Sequence, residues 1–358
     1  MAKDRAQSRG PKCVSESLDI ENPEALLTYL RQTGRIRREE QPHFCNLHGG
    51  VSNRTVMVQR ASGEAWVLKQ ALAKLRVRVD WFSSPERIAR EALGLEWLAR
   101  LVPHGSIPAL LFQDHKQYLL AMEAVPQPYE NWKSLLLAGE IEPEYFRQFA
   151  TLLATIHREA YCRRADLEGI FADRSFFESL RLEPYYGYSA QRVPIAAGFL
   201  ESLIQETLSC RITLVHGDFS PKNILIHRGR LVLLDHEVIH FGDPAFDLGF
   251  SMAHFLSKAH HMPGRRRPFV AAASDYWQTY RERLGGLPWA ETLEARAVRH
   301  TLGCLLARVV GRSPLEYLAE DERLRQREAV LSIIGRVPRQ MPELISIFEE
   351  RLCPLSNG

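Results

Sequence analysis

The chain has 358 residues and a mass of 41.0 kDa, which predicts two domains or one domain built from two lobes. Hydrophobic residues make up 45% and charged residues 25%, a globular balance that excludes a disordered, collagen-like or coiled-coil chain. The net charge is only +3, so charge gives no reason to expect a nucleic acid or an anionic membrane as partner.

The cysteine pattern and the first residues predict a cytoplasmic protein. The six cysteines form no CxxC pair and are interpreted as free thiols in a reducing compartment. Residues 1–11 lack the apolar segment of a secretory signal, and no apolar run approaches the ~20 residues that span a bilayer. Residues 1–20 are predicted to form a disordered tail, because the segment is charged and has no hydrophobic period.

Residues 21–124 are predicted to form a small β-rich lobe. A short helix begins at Asn22-Pro23 and runs to Thr33. The expected strands are 43–47, 54–59, 65–70, 109–113 and 117–122, and a helix from Ser84 to Val102 separates the third from the fourth. The pattern of three strands, one helix and two strands indicates an antiparallel sheet with one helix packed on it.

Residues 125–358 are predicted to form a larger, mostly helical lobe. A short connecting segment at 121–128 contains Pro126 and Pro128, and apolar residues recur at helical spacing over 143–160. A second hairpin is expected from strands 223–227 and 231–234, which turn at Arg228-Gly229. The predicted fold class is therefore α+β, with two lobes. Nothing in the sequence predicts the oligomeric state.

The segment His216-Gly217-Asp218 and the second hairpin carry the most informative polar residues. Asn223 follows Asp218 by five residues, and Asp235 and Glu237 follow the returning strand. The hairpin should bring Asp218, Asn223 and Asp235 to one end, where carboxylate and amide oxygens suit Mg²⁺ bound to phosphates. Each residue taken alone is explained by a turn or a cap, whereas the joint pattern favours a functional site.

A second pair of residues is predicted in the small lobe. Glu91 falls among the apolar positions of helix 84–102, where an unpaired carboxylate would be costly. Lys69, on the preceding strand, is the expected partner, because it lies on the same face as Val67. The alternative, in which both side chains reach solvent, remains open from this segment alone.

A glycine-containing loop precedes the first hairpin. The segment His48-Gly49-Gly50-Val51-Ser52-Asn53 could let backbone amides approach phosphate oxygens, with Gly49, Gly50, Ser52 and Asn53 as candidate binding residues. A plain Gly-Gly turn explains the same letters. The position of the loop one hairpin before Lys69 favours phosphate binding.

With these segments together, the chain resembles the aminoglycoside phosphotransferase/choline kinase family over about residues 40–320. The resemblance is carried by LVHGDFSPKNILI (214–226), LVLLDHEVIHFGDPAFDLGF (231–250) and WVLKQ (66–70). It implies a bilobal, protein-kinase-like fold that binds ATP between the lobes and uses Mg²⁺. It also implies roles for individual residues. These are Asp218 as catalytic aspartate, Asn223, Asp235 and Glu237 at the metal, Lys69 and Glu91 as the ion pair, Lys222 at the transferring phosphoryl group, Asp247 as a brace, and Met122, Glu123 and Ala124 as a hinge that contacts adenine.

The chain also resembles 5-methylthioribose kinases. GGVSN, KQALAKLRV (69–77), Asp235-His236-Glu237 and the late segment 307–311 carry this likeness. Those kinases have an arginine pair in the late segment, where this chain has Ala307 and Arg308. Arg308 is therefore a candidate residue for binding the acceptor, and Asp80 or Trp81 is separately expected to border the acceptor pocket.

The function predicted is ATP-dependent transfer of a phosphoryl group to a hydroxyl of a small polar molecule, aminoglycoside phosphotransferase-like. A 5-methylthioribose kinase-like sugar kinase is the alternative within this chemistry. A catalytically silent nucleotide-binding scaffold is the alternative from another class. A protein kinase is disfavoured, because the loop has HGD in place of HRD and no DFG or APE follows.

Overall fold

The computed structural model describes residues 18–47, 50–77 and 80–352. Its N-terminal part contains a five-stranded antiparallel sheet of order β1-β2-β3-β5-β4. The strands are β1 (His43–Asn46), β2 (Asn53–Gln59), β3 (Ala65–Ala71), β4 (Leu110–Asp114) and β5 (Leu119–Glu123). The predicted order of three strands, one helix and two strands is confirmed, with bounds that differ by one or two residues.

Helix α1 (Pro23–Gln32) covers one face of this sheet. The Asn22 side chain caps it by accepting hydrogen bonds from two amides of the first turn, and Leu26 and Leu30 pack with strand residues such as Val56 and Leu68. Ile20 is buried in the same cluster. Residues 18–20 therefore belong to the packed structure, which corrects the predicted end of the tail; residues 1–17 lie outside the described residues.

Helix α2 (Arg87–Leu101) covers the opposite face. It buries an apolar stripe that includes Ile88, Leu95 and Leu98. The helix begins at Arg87, after the predicted start at Ser84, and has no side-chain cap at Glu86. Period-two alternation on β3 points Leu68 toward α1 and leaves Lys69 on the α2 face.

The C-terminal part is mostly helical, as predicted. Its α-helices are α3 (Trp132–Leu137), α4 (Pro143–Cys162), α5 (Arg164–Leu167), α6 (Ser175–Phe177), α7 (Tyr188–Arg192), α8 (Ala197–Ser209), α9 (Ala245–His261), α10 (Arg266–Leu284), α11 (Ala290–Val310), α12 (Glu320–Ile334) and α13 (Met341–Leu352). A π-helix spans Glu178–Gly187, and 3-10 turns span Pro194–Ala196, Pro221–Asn223 and Pro263–Arg265. No helix within the described ranges is long and apolar enough to cross a bilayer.

Two small sheets carry the polar loops of the C-terminal part. Strands β8 (Ile224–His227) and β9 (Arg230–Leu233) form the predicted hairpin, and β6 (Tyr129–Asn131) extends it. Arg228 and Gly229 turn with φ of 49° and 72°, the left-handed geometry that tight two-residue hairpins need. Strands β7 (Thr213–Val215) and β10 (His240–Gly242) pair beside it, a contact that the sequence analysis did not predict.

Candidate active site

Asp218 lies in a buried loop that directly follows strand β7. Gly217 turns the chain with φ of 78°, and a Cβ there would lie 2.9 Å from Val238 Cγ2, so only glycine fits. Asp218 is 1% exposed. The loop therefore holds a carboxylate in the protein interior by a turn that no other residue type can make without strain.

Two cations and one amide surround the Asp218 carboxylate. Arg181 Nη2, Lys222 Nζ and Asn223 Nδ2 each lie 2.9 Å from Asp218 Oδ2, while the buried Oδ1 has no partner among the described residues. Burial opposes ionisation of Asp218, but the charges of Arg181 and Lys222 outweigh it and lower its pKa. Asp218 is thus a carboxylate with one oxygen fixed and the other available.

The sequence analysis did not identify Arg181. It lies in the π-helix Glu178–Gly187, which contains Pro184, and its Nε also donates to the carbonyl of Gly217 at 3.1 Å. The contact joins the π-helix to the turn before Asp218. No recognisable motif marks this arginine, because its register depends on an irregular helix.

Asp247, near the start of α9, binds the backbone of the loop that precedes Asp218. Its carboxylate accepts hydrogen bonds from the amides of His216 at 2.7 Å and Gly217 at 2.8 Å, and it lies 3.3 Å from His157 Nε2. The Asp247 carboxylate is completely buried. This geometry agrees with the bracing role that the resemblance implies.

Two buried histidines connect the loop of Asp218 to the residue after Asp235. His216 Nδ1 accepts the amide hydrogen of Asp218 at 3.1 Å, and His216 Nε2 lies 3.1 Å from His236 Nδ1. Since His216 Nδ1 is an acceptor, its proton resides on Nε2 and is donated to His236. Burial lowers the pKa of both rings, so this link is between neutral imidazoles.

Lys69 and Glu91 form the ion pair expected from strand and helix periodicity. Lys69 Nζ lies 2.5 Å from Glu91 Oε1 and 3.1 Å from Asp235 Oδ1. Burial alone would lower the pKa of Lys69, but the charges of Asp235 and Glu91 outweigh it and raise it. Asp235 has a φ of 69°, a conformation that aspartate tolerates better than most residues. Lys69, through Glu91 and Asp235, therefore connects β3 with α2 and with the segment after β9.

Arg87 is a second residue that the sequence analysis missed. It is fully buried, and its Nε donates to Glu237 Oε2 at 3.1 Å while Nη2 donates to the carbonyl of Ser52. Leu72 N also donates to Ser52 O, at 3.0 Å. Arg87 thus connects the loop before β2 to the segment after β9. No sequence signal marks it, because an arginine at the first residue of a helix is common.

The glycine-containing loop is described from Gly50 onward, and Gly49 lies outside the described residues. A Cβ at Gly50 would meet nothing within 4 Å. Asn53 Nδ2 donates to Ser52 Oγ at 3.2 Å, while the buried Oδ1 of Asn53 has no partner among the described residues. The described part of the loop is therefore fixed through Ser52 and open at Gly50.

The expected hinge is the end of β5. The amides of Glu123 and Ala124 donate to the carbonyls of Ala109 and Ala65, both at 2.9 Å, and Met122 is buried. Because these two amides donate hydrogen bonds within the sheet, they are not available to adenine. The expected adenine contacts of Glu123 and Ala124 are therefore limited to their carbonyl groups. The next amide, of Val125, has no acceptor among the described residues.

The three candidate acceptor residues do not come together. Asp80 is paired with Lys74 at 2.7 Å on an exposed loop, and Trp81 is half-buried against the core. Arg308 lies on α11, where Nη1 donates to Tyr185 Oη at 3.2 Å. Within the described residues no hydrogen bond or ion pair joins Asp80 or Trp81 to Asp218, whereas Arg308 shares the Tyr185 ring with Arg181, the partner of Asp218.

The candidate metal residues Asn223, Asp235 and Glu237 each contact a different neighbour, and among the described residues their side chains do not bond to one another. The side chain of Asn223 bonds Asp218 through Nδ2, which leaves Oδ1 as the oxygen available to a cation. The carboxylate of Asp235 faces Lys69 rather than Asn223, and Glu237 faces Arg87. Within the described ranges no group of three or more His, Cys, Asp or Glu side chains is arranged to hold a metal. The donor set fits a hard cation whose other ligands come from phosphate or water.

The fold and this buried, charge-paired loop are those of a kinase-like phosphotransferase. Residues 43–289, well over half of the chain, match the family profile described as the phosphotransferase enzyme family, APH. The chain belongs to that family, which confirms the family predicted from the sequence.

Curated relatives and one solved structure resemble most of the chain. A methylthioribose kinase of Pectobacterium carotovorum is 23% identical over 333 residues, covering 82% of this chain and 82% of that protein. A methylthioribose kinase of Yersinia enterocolitica is 25% identical over 272 residues, covering 68% of each. The amicoumacin kinase hAmiN, in complex with AMP-PNP, Ca²⁺ and Ami, is 14% identical, covers 89% of this chain and 96% of its own, and has a TM-score of 0.55. The solved structure shows the shared fold.

Proposed function

We propose that this phosphotransferase moves the γ-phosphoryl group of ATP to a hydroxyl of a small polar molecule. The observation that carries the proposal is the environment of Asp218, a buried carboxylate with Oδ2 fixed by two cations and Oδ1 free. A free carboxylate oxygen of this kind can accept the proton of an acceptor hydroxyl and orient that hydroxyl for in-line attack.

On the nucleotide side, Lys69 is the residue proposed to hold the phosphates of ATP. Its contact with Glu91 fixes the ammonium group, and Asp235 lies on the other side of it. Asn53 begins β2 in register with Ala71, the last residue of the strand that carries Lys69, and Gly50 and Ser52 lie just before it. These residues would position the nucleotide, and most of the rate enhancement would come from positioning and electrostatics.

The cofactor proposed is Mg²⁺, held by Asn223 Oδ1 and Asp235, with Glu237 nearby. When bound, the ion would offset the charge that develops on the phosphate oxygens. Lys222, paired with Asp218, supplies a further positive charge beside the acceptor hydroxyl. Asp235 lies two residues after β9 and has a left-handed backbone conformation, and its carboxylate would be a ligand of the ion.

The acceptor is a small hydroxyl compound, and the curated relatives make 5-methylthioribose a candidate. The presence of Lys69, Asp218 and Asp235 together disfavours a catalytically silent scaffold. Ala307 stands where methylthioribose kinases have an arginine, so the acceptor of this chain need not be theirs.

The test is ADP release with Mg²⁺-ATP over a panel of methylthioribose, other pentoses, choline, ethanolamine, homoserine and aminoglycosides. We expect acceptor-dependent ADP release that Asp218→Asn abolishes while nucleotide binding persists. Asn is the matched variant because it keeps the shape of the side chain and removes its charge. Full activity in Asp218→Asn would contradict the role of Asp218, and Mg²⁺-ATP binding without turnover of any acceptor would favour the scaffold.

We also propose the lobe division 21–124 and 125–358 and a cytoplasmic location. The division places the five-stranded sheet with α1 and α2 on one side and all helices from α3 onward on the other. The location is supported by the free thiols of Cys45, Cys162, Cys210 and Cys304 and by the use of ATP. The proposed partner is the small-molecule acceptor, with no nucleic acid and no membrane.

A further inference from the structure

A series of ring contacts leads from Asp218 to Arg308. The guanidinium of Arg181, which pairs with Asp218, lies 6.0 Å from the ring centroid of Tyr185. The guanidinium of Arg308 lies 5.6 Å from the same ring, and its Nη1 donates to Tyr185 Oη at 3.2 Å. Arg308 therefore shares one aromatic ring with the arginine that holds the catalytic carboxylate.

Helix α9 brings two more basic side chains to this region. The ring of His254 packs edge-on against Phe250 at 5.0 Å, and Phe250 stacks on Tyr185 at 5.8 Å. Lys258, one turn after His254, places Nζ 5.3 Å from the ring centroid of Tyr317. Arg308, His254 and Lys258 are called the basic cluster below.

The basic cluster is buried and has no carboxylate partner among the described residues. Lys258, His254 and Arg308 are 0%, 5% and 7% exposed. Arg308 donates to the backbone carbonyl and the hydroxyl of Ser313, and its buried Nε has no partner. Lys258 reaches only the carbonyl of His254 at 3.5 Å, and His254 Nε2 has no partner. Buried cations that are left unpaired are strongly unfavourable, so a negative charge is missing here.

The charges around the basic cluster are mostly positive. Lys133 and Lys222 add two further cations, and the nearby carboxylate is that of Glu316, which is exposed and bonded to Lys133. Burial, reinforced by the charges of Lys133 and Arg308, lowers the pKa of Lys258 to about 7. Within the described residues Glu316 offsets this positive potential only in part.

We propose that the acceptor carries an anionic group, a carboxylate or a phosphate, which Arg308 and His254 bind while Lys258 supplies charge from behind them. The inference rests on the proposed function and names its substrate class as an anionic hydroxyl compound, such as a hydroxy acid or a sugar monophosphate. The anion would satisfy the free Arg308 Nε and His254 Nε2, and its hydroxyl would reach Asp218 across Tyr185.

The first test compares hydroxyl acceptors that carry different charges. D-ribose, D-ribonate and D-ribose 5-phosphate, with glucosamine as the cationic compound, are assayed for ADP release with Mg²⁺-ATP. We expect kcat/KM for at least one anionic compound to exceed that of the neutral sugar by about 10-fold or more, the gain from one charge-assisted contact. Equal or better turnover of the neutral or cationic acceptor would contradict the proposal and leave the phosphotransfer function standing.

Variants of the cluster separate its role from a structural one. In Arg308→Gln and Lys258→Met we expect KM for the anionic acceptor to rise about 10- to 100-fold, with KM for ATP unchanged. Arg312→Gln is the matched control, because Arg312 follows α11 directly, is half-exposed and pairs with Glu183 away from the cluster. An equal effect on neutral and anionic acceptors would show that the cluster is structural and would contradict the proposal.

A binding measurement decides the case in which no acceptor is turned over. Calorimetry with D-ribose 5-phosphate and with inorganic phosphate, in the presence of AMP-PNP and Mg²⁺, is run on the wild-type chain and Arg308→Gln. Anion binding that Arg308→Gln weakens would support the basic cluster as a binding site while the phosphotransfer proposal failed. Absence of anion binding in the wild-type chain would overturn the inference.

Discussion

Buried basic residues have different partners on the proposed nucleotide side and on the proposed acceptor side of the site. On the nucleotide side Lys69 contacts two carboxylates, Glu91 and Asp235. On the acceptor side, among the described residues, Lys258 and Arg308 donate hydrogen bonds to carbonyl and hydroxyl oxygens and to no carboxylate. The first arrangement is complete within the protein, whereas the second needs a charge from outside. The difference distinguishes residues that organise the fold from residues that await a ligand.

The same physical effect has opposite outcomes at the two lysines. Burial opposes the charged form at both positions. At Lys69 the carboxylates more than compensate and the pKa rises, while at Lys258 neighbouring cations add to burial and the pKa falls to about 7. Replacement of each lysine should therefore change stability with opposite sign.

The largest effect is expected from Lys69→Met. Removal of the ammonium group leaves Glu91 buried without its cation, which should reduce the free energy of unfolding by about 3–5 kcal/mol. Phosphate positioning is lost as well, so kcat/KM should fall about 100- to 1000-fold. Urea unfolding and the ADP-release assay measure the two effects.

The control for that experiment is Lys69→Met combined with Glu91→Leu. Because the double variant removes both charges, stability should recover toward that of the wild-type chain while activity stays low. If Lys69→Met alone were as stable as the wild-type chain, the pair would contribute little, and the contrast with Lys258 would disappear.

The next largest effect is expected from Arg181→Met. Asp218 would keep Lys222 and lose the cation that also ties it to Gly217, so kcat should fall about 10- to 100-fold while KM for ATP is unchanged. Arg181→Lys retains a charge and should recover part of the loss. A rise in KM for ATP with unchanged kcat would place Arg181 on the nucleotide side and contradict its assignment to Asp218.

The nucleotide side could be predicted from sequence because regular elements carry it. Alternation along β3 and the helical period of α2 predict that Lys69 and Glu91 face each other, and the structure brings them together. The loop of Asp218 and the β8–β9 hairpin were predicted from local turn signals, of which Arg228-Gly229 is the clearest. Short-range rules suffice where the chain obeys them.

The acceptor side could not be predicted in this way. Arg181 lies in a π-helix, whose register no simple period describes, and Arg308 meets Tyr185 across 123 residues of chain. His254 and Lys258 look like ordinary residues of the buried helix α9. No sequence pattern supports Asp80 and Trp81 as acceptor residues, and Asp80 pairs with Lys74 in the structure. Long-range packing, which sequence patterns do not encode, decides these contacts.

A smaller effect of opposite sign is expected from Lys258→Met. Methionine has a similar length and no charge, so it removes the cost of a buried cation without opening a cavity. The free energy of unfolding near pH 7 should rise by about 1–2 kcal/mol relative to the wild-type chain. Arg312→Gln, measured in the same urea series, should change it by less than about 0.5 kcal/mol. Destabilisation by Lys258→Met would mean that Lys258 has a partner that supports its charge.

The last predicted effect is the change of this stability difference with pH. Lys258 has a folded pKa of about 7, below the value of 10.5 of an unfolded lysine, because of burial and the charges of Lys133 and Arg308, which Glu316 offsets only in part. Between pH 7 and 10 the unfolded wild-type chain binds the extra proton, so its stability rises with pH relative to Lys258→Met.

The advantage of Lys258→Met should therefore shrink steadily from pH 7 to pH 10 in urea unfolding. Lys69 gives no such trend in this range, since its folded pKa is raised and its contribution is complete below the unfolded value. A saturating anionic acceptor should abolish the slope, because an anion beside Lys258 keeps the ammonium protonated. A difference that stayed constant over this range without ligand would show that Lys258 is charged and paired, and the acceptor side would then resemble the nucleotide side.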